Sequence, residues 1–440
     1  MAHPMRTPAE ETLIARFAAE KAALPGTATL ITPLRETAFR AFEEVGLPHR
    51  RVEDWRYTDL RANLKSIAPA AGPANLDAIR TAKPAVEGDG ARRLVVANGT
   101  FLADLSDLAD LEAGLSIRSL AEDLANGTTS VAHAIGIDPL PAGNTAVELN
   151  TAFMTDGVVI EVAEGVVIER PLEIVHLVAS ATPVSTAVRN FVFVGAGARA
   201  TVIETVESLD AVAHQSNIVT TLSVGDDAAL DHIRLQLEPD TAVSFATVTA
   251  RIGARATLNT FNAALGAGLA RAQVFATFTG REAKGGFRGV TLLSGRRHAD
   301  TTLVVNHDAE ACESRELYKA VVDDSAKSVF QGRIEVPSHA QKTDARMMTA
   351  SLLLSEDAEA AAKPELEIFA DDVQCGHGAT CGEIDDDLMF YLLSRGIPEA
   401  EAESMLILAF LGEAIDEIDN EAVHDALIHR VEDWLKARQG

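Results

Sequence analysis

The sequence predicts a mainly β protein, a β-solenoid core with a helical region at each end. Three observations carry this. A weak repeat marked by glycine runs through the middle of the chain: EGVVIERPLEI around Gly165, VGAGARATVIE at Gly195, VGDDAALDHIR at Gly225, IGARATLNTF at Gly253 and TGREAKGGFR at Gly280. Its intervals are 30, 30, 28 and 27 residues, and each unit reads as strand, turn, strand with too few apolar residues to close a core alone. Units recurring at this interval stack and share a continuous core, each turn adding about 4.8 Å of height. No helix that would make a βαβ unit interrupts residues 150–340, whereas helical periodicity marks both ends. A β-sandwich with evenly spaced hairpins is the competing architecture, because its strands also recur at short regular intervals.

The division that follows is a helical region and linker at 1–90, a solenoid core at 91–384 and a C-terminal helical domain at 385–440. In the first region PAEETLIARFAAEKAAL places Leu13, Phe17, Ala18 and Leu24 near one stripe, and PLRETAFRAFEEVG is framed by Pro33 and Gly46, a start and a stop signal. LPHRRVEDWRYTDLRANL and the Pro-, Gly- and Ala-rich AAGPANLDAIRTAKPAVEGDGA follow. Trp55 and Tyr57 there are read as docking or core contacts in preference to a ligand box. Asn98-Gly99 in RLVVANGTFLADL is a hairpin turn signal.

Beyond Gly280 the glycine pattern fades, with Asn306, His307, Asp323 and Asp324 in its place. From Asp385 the chain is helical again: IDDDLMFYLLSRG is capped by Asp385 and stopped by Gly396, Pro398 opens PEAEAESMLILAFLGEAIDEI, and NEAVHDALIHRVEDWLKAR closes the chain. Such a terminal unit is expected to cap the solenoid's open end. The apolar residues Met405, Leu406, Ile407, Leu408, Phe410 and Leu411 exceed one stripe, so part of this surface is expected to face a partner.

Composition excludes several classes. A net charge of -27 repels polyphosphates, which argues against nucleic-acid binding. The longest apolar run, MLILAFL, falls far short of the roughly 20 residues that span a bilayer. Three cysteines make no disulfide framework and the first residues carry no apolar leader, which together predict a cytoplasmic protein. GxxxxGK[ST], GxSxG, HExxH and CxxC are all absent, so the sequence gives no support to nucleotide hydrolysis, serine acyl transfer or a four-cysteine zinc site.

The remaining chemistry sits in ADDVQCGHGATCGEID. Residues two apart on an extended strand point to the same side, so Cys375 and His377 can face one metal or one partner. The direction of Cys381 is left open by the intervening glycines. For each cysteine a small buried apolar role is the competing reading, and for His377 a hydrogen-bonded structural one. Cys312, in HDAEACESRELY with His307 nearby, is a weak ligand candidate.

The stretch PELEIFADDVQCGHGATCGEIDDDLMFYLLSRGI resembles the C-terminal signature of the SufB/SufD family of iron–sulfur cluster assembly proteins. The resemblance extends upstream through VFQGRIEVPSHAQKTDARMMTASLLLSEDAEAAAKPELEI, and RVEDWRYTDL is similar to the family's N-terminal part. It implies a right-handed parallel β-helix, pairing with a SufB subunit, and docking of the SufC ATPase through the C-terminal helices. It further implies that the histidine of the C-x-H-G-A-T segment, here His377, lies at the SufB interface and helps to form a transient iron–sulfur cluster there, with Cys375 as a neighbouring participant. A flavin is a question for the assembled complex only, and a homodimer is the expected state of the isolated chain if it self-associates. Gly376 stands where serine is common, Cys381 where a small aliphatic residue is usual, and Gly378 where SufB carries a glutamate. A cluster needs about four ligands, largely thiolates, more than this chain supplies. The expected role is therefore a non-enzymatic scaffold subunit, and the alternative is a free-standing β-helix enzyme acting on carbohydrate or acyl substrates.

Overall fold

The computed structural model describes residues 6–26, 31–88, 90–136 and 144–439. Two sheets face each other across a lumen, and the chain passes from one to the other in every turn. The ten-stranded sheet runs, from one edge, β19 (Gln374–Gly382), β17 (Asp344–Leu353), β15 (Glu313–Val322), β13 (Lys284–Leu293), β11 (Thr257–Ala264), β9 (Ala229–Gln236), β7 (Arg199–Ser208), β5 (Leu172–Val178), β1 (Arg92–Ala97) and β2 (Thr100–Phe101). The nine-stranded sheet runs β18 (Glu359–Ile368), β16 (Lys327–Val336), β14 (His298–His307), β12 (Leu269–Phe278), β10 (Val243–Ile252), β8 (His214–Val224), β6 (Val184–Val194), β4 (Val158–Val162) and β3 (Leu115–Ser119). All neighbours from β5 to β19 and from β4 to β18 pair in parallel. This is the predicted solenoid, and the sandwich alternative falls with it.

The repeat has a sharper cause than the glycines suggested. One corner of each turn holds a single residue in the left-handed region: Gly165, Gly197, Asp227, Arg255, Glu282, Ala311 and Lys342, with φ between 56° and 70°. The N–H of each donates to a carbonyl of the next turn, as from Asp227 to Ala254 and from Lys342 to Asp372. Gly165 is therefore the equivalent of Gly197 and not of Gly195, so the first interval is 32 residues and not 30. Two residues earlier in each turn the requirement is for a small side chain, because a Cβ on Gly280 would lie 2.0 Å from the Ala254 nitrogen. Ala309 and Ala340 fill that place in later turns, which is why glycine stops marking the repeat.

The lumen is the main core, from Leu94 and Ile160 to Phe330 and Met347. Helices cover the outer faces of the sheets. On the nine-stranded side α1 (Pro8–Glu20) and α2 (Ile31–Val45) stack Phe17 on Phe39 with ring centroids 3.9 Å apart, and this cluster reaches Phe245 and Leu269. Ala18 is exposed and Ala9 takes its expected place. Residues 91–157 are less uniformly β than predicted: α3 (Leu120–Asn126) has Ser119 as N-cap and Gly127 as C-cap, and with α4 (Thr129–Gly136) it buries Leu120, Leu124 and Val131 against Phe191. Asn98 and Gly99 form the expected hairpin turn, both at positive φ between β1 and β2.

At the other end α5 (Asp386–Ser394), α6 (Glu399–Ile415) and α7 (Glu421–Gln439) do not cap the solenoid. Instead α6 and α7 lie along the outer face of the ten-stranded sheet, where Ile407, Leu411, Leu427 and Val431 pack on Ile233, Phe261, Val290 and Val321. The expected cap is displaced because this sheet is apolar on both faces, and the helices bury its outer one. The end formed by β18 and β19 stays bare.

Candidate functional site at the bare end of the solenoid

Strand β19 is the edge of its sheet, and the register from Asp344↔Gln374 to Leu352↔Gly382 is unbroken. Cys375 lies beside Ala345, His377 beside Met347 and Cys381 beside Ser351. Ala345 and Met347 belong to the lumen core, so the alternation of the strand turns Cys375 and His377 to the same side, as expected, and that side is the lumen. The same unbroken alternation puts Cys381 on that side too, which the glycines had left open. Cys381 nevertheless stands about 20 Å along the strand from Cys375, whereas Cys375 and His377 are about 7 Å apart. Metal–ligand bonds are about 2.0–2.3 Å long, so one ion can touch the latter pair and not all three.

Cys375 is half-buried against the lumen core, and His377 and Cys381 are exposed. Burial pushes the Cys375 thiol up, the Ala345 backbone opposes this, and the carboxyls of Asp344 and Glu316 push it further in the same direction. The thiol is therefore held protonated. Among the described residues no group of three or more His, Cys, Asp and Glu side chains is arranged to hold a metal ion. Cys312 is fully buried with its Sγ 3.3 Å from the Gly280 carbonyl, and His307 binds Ser314 Oγ through Nε2 at 2.9 Å, which is the packing of a structural pair.

The surroundings of β19 are those of a surface waiting for another surface. Ile368, Phe369 and Met348 are exposed, Phe369 by 70%. A Cβ on Gly376 or Gly382 would meet nothing within 4 Å, and only Gly378, whose Cβ would approach Met348 Sδ to 2.9 Å, is needed by the chain's own packing. An uncovered edge strand without lysine or proline invites pairing with another chain.

Beside this end stands α5, capped by the Asp385 carboxylate on the Leu388 N–H, with no buried residue. Leu388, Phe390, Tyr391 and Leu393 are 52%, 72%, 53% and 40% exposed. Its neighbour α6 is by contrast clamped to the sheet: Lys319 pairs with Glu413 and lies 4.4 Å from the Phe410 ring centroid, and Arg288 pairs with Glu417 at 2.9 Å. The RVEDWRYTDL segment docks on the nine-stranded sheet, Trp55 being 3% exposed, which fulfils the docking reading of that residue. Tyr57 is 37% exposed.

Sequence reasoning missed the polar groups inside the lumen. Alternation alone puts Ser314, Glu316 and Tyr318 on one face of β15, but only the pairing of Phe287 with Glu316 and of Glu316 with Met347 shows that this face is internal. The same holds for Glu204, which lies in the lumen between His232 at 2.9 Å and His176 at 3.5 Å.

Comparison with known proteins agrees with this arrangement. Residues 176–410 match the family model for the SUF system FeS cluster assembly SufBD core domain, and residues 7–174 match that for the SufBD protein N-terminal region. A SufBD family iron–sulfur cluster assembly protein of Synechocystis is 33% identical over 412 residues, covering 91% of this chain and 90% of its own. The iron–sulfur cluster assembly protein SufD of Escherichia coli is 30% identical over 407 residues, 91% and 92% of the two chains. SufD of Bacillus subtilis is 30% identical over 297 residues, 66% of each. No helix among the described residues is long and apolar enough to cross a membrane. The Synechocystis and Escherichia coli relatives match over 91% of its length, and the chain belongs to the SufBD family of iron–sulfur cluster assembly proteins of the SUF system.

Proposed function

We propose that this chain is the SufD-type half of a cytoplasmic scaffold, which pairs with SufB through its bare solenoid end and builds a nascent iron–sulfur cluster at the seam. The observation that carries the reading is that Cys375 and His377 lie on an uncovered edge strand, turned toward the lumen and flanked by exposed Ile368 and Phe369. In this reading the edge pairs with SufB, and in its absence with a second copy of the chain. His377 supplies a neutral imidazole, a good borderline ligand for iron, and Cys375 a thiol that ionises as the cation arrives. The remaining ligands come from SufB. The cluster is cargo, and neither a resident cofactor nor a flavin is assigned to this chain.

The second half of the reading is that α5 docks the SufC ATPase. Its apolar side chains are exposed while α6 is clamped to the sheet, so α5 can meet a partner without unpacking the solenoid. The chain itself has no nucleotide motif and acts as a non-catalytic subunit, moved by ATP hydrolysis on SufC. The test is co-expression with SufB and SufC. Phe369→Asp is expected to lose SufB and keep SufC, and Phe390→Asp with Tyr391→Asp to do the opposite. Retention of SufB by Phe369→Asp and of SufC by the α5 variant would place the docking surfaces elsewhere.

A further inference from the structure

The carboxyl of Glu316 lies inside the lumen, 2% exposed, and neither of its oxygens makes a hydrogen bond. Its surroundings compensate only in part, the Arg315 and Arg288 charges favouring the ionised form without outweighing burial. Ser314, two residues back on the same face, is taken by His307 Nε2 at 2.9 Å. Arg315 is bonded to Asp344 at 2.9 Å and Arg288 to Glu417 at 2.9 Å. Two other unpartnered groups are close by, the Tyr318 hydroxyl and His307 Nδ1. Burying a carboxyl without partners is costly enough that it calls for a reason.

The strand register gives one. Glu316 of β15 lies beside Met347 of β17, and Met347 beside His377 of β19. Ser314, Ala345 and Cys375 form the adjacent file. Glu316 thus stands directly beneath His377, two strands or about 10 Å deeper along the axis. Only Met347 separates them, and its side chain lies across the lumen, since a Cβ on Gly332 of the facing sheet would come within 2.4 Å of its Sδ. An ion midway between the two strands would be about 5 Å from each, within reach of a carboxylate from below and an imidazole from above with bonds of about 2 Å.

We propose that Glu316 is the inner ligand of the site at the bare end, receiving a divalent transition ion of the ferrous class that His377 and Cys375 admit from outside once Met347 moves aside. This rests on the composite-site reading and adds to it an oxygen donor from within this chain. An N, S and O donor set suits a borderline divalent ion. Burial pushes the Glu316 carboxyl up to about 8, so in the empty lumen it is neutral and an unpaired charge is avoided. Met347 is suited to the passage because its thioether is flexible and itself a weak ligand.

The probe is Co²⁺, titrated anaerobically into the full-length chain and followed by its ligand-field and thiolate charge-transfer absorbance. Wild type is expected to bind one Co²⁺ saturably. Glu316→Gln keeps the shape and is expected to weaken binding at least tenfold and to change the ligand-field bands, while the charge-transfer band of Cys375 persists. Met347→Phe fills the space between the files without removing a ligand and is expected to weaken binding similarly, so it carries the test if Glu316→Gln does not fold by circular dichroism. Binding and spectra unchanged in either folded variant would overturn the proposal. If the variants match wild type while His377→Ala loses the signal, the composite site stands and Glu316 is outside it. No saturable binding by wild type would also overturn the inner-ligand assignment, leaving the composite site, which draws on SufB, to be judged by its own co-expression test.

Discussion

The Arg271 guanidinium lies 3.8 Å over the Trp55 ring while its Nη1 pairs with Asp300, both partners of that ion pair being fully buried. Nη2 binds the Asp54 carbonyl at 2.7 Å and Thr58 bonds Asp300, so one cation joins the N-terminal segment to β12 and β14. Cation–π contacts of this kind are worth about 2 kcal/mol or more when desolvated. Trp55→Ala is expected to cost about 3–5 kcal/mol. Asp300→Asn, which strands a buried cation, is expected to cost a similar amount. Denaturant unfolding measures both. Limited proteolysis should show the N-terminal helices released first, and a Trp55→Ala chain as stable as wild type would remove this contact from the account.

On the proposed reading, His377→Ala in the complex with SufB and SufC removes a ligand and, from an exposed position, little packing, so assembly should persist while iron and sulfide content falls sharply. Cys375→Ser is expected to fall between His377→Ala and wild type. Cys381→Ala should leave content unchanged, since Cys381 is about 20 Å from Cys375 along the strand. Full cluster content with His377→Ala would end the assignment, and loss of the complex would make His377 a residue of the interface alone.

The isolated chain, with three cysteines of which one is fully buried, is expected to keep no iron or sulfide through anaerobic purification and desalting. A stoichiometric cluster surviving on the lone chain would contradict a site completed by SufB.

The C-terminal helices divide by burial. Truncation after Asp385 would uncover the apolar outer face of the ten-stranded sheet, and aggregation is the expected result. Phe390→Asp with Tyr391→Asp touches only exposed positions and should leave the unfolding midpoint within about 0.5 kcal/mol of wild type. Glu413→Ala, on α6, should by contrast lower it, because the buried Lys319 ammonium loses its partner. Equal effects of the two changes would mean that α5 is packed as tightly as α6.

Glu316 makes stability depend on pH in a particular sense. Its folded-state pKa of about 8 lies above the unfolded value, so the folded chain holds a proton that the unfolded chain releases. Its contribution is fully present below pH about 4 and is lost as pH rises toward 8. Arg288 and Arg315 oppose the shift, and His307 stays neutral here because burial pulls it down to about 3. The stability of Glu316→Gln relative to wild type should therefore grow by at most about 1.4 kcal/mol per pH unit between pH 5 and 8, read by denaturant unfolding. A gap that does not change with pH would show the carboxyl to be ionised and paired.

Much of this was legible in the sequence because it depends on local chemistry. The stacking interval, the Asn98-Gly99 turn, the Asp385 cap and the shared face of Cys375 and His377 each follow from residues within one turn of chain. The helix over Leu120–Asn126 was legible too, with Ser119 before it and Gly127 after it, but was hidden by the β pattern on both sides. What could not be read is what pairing decides. Nothing local distinguishes the inside of β15 from its outside, so Glu316 looks like one more surface acid, and nothing local says that α6 and α7 lie along a flank instead of across an end.

That flank position has a mechanical consequence. The apolar face of α6 and α7 rests on six strands at once, from Ile203 of β7 to Leu352 of β17. A tug on the C-terminal helices is therefore spread as shear over a whole ladder of backbone hydrogen bonds and cannot peel strands away one by one. A partner that moved these helices would in this way move the sheet that carries His377 at its edge.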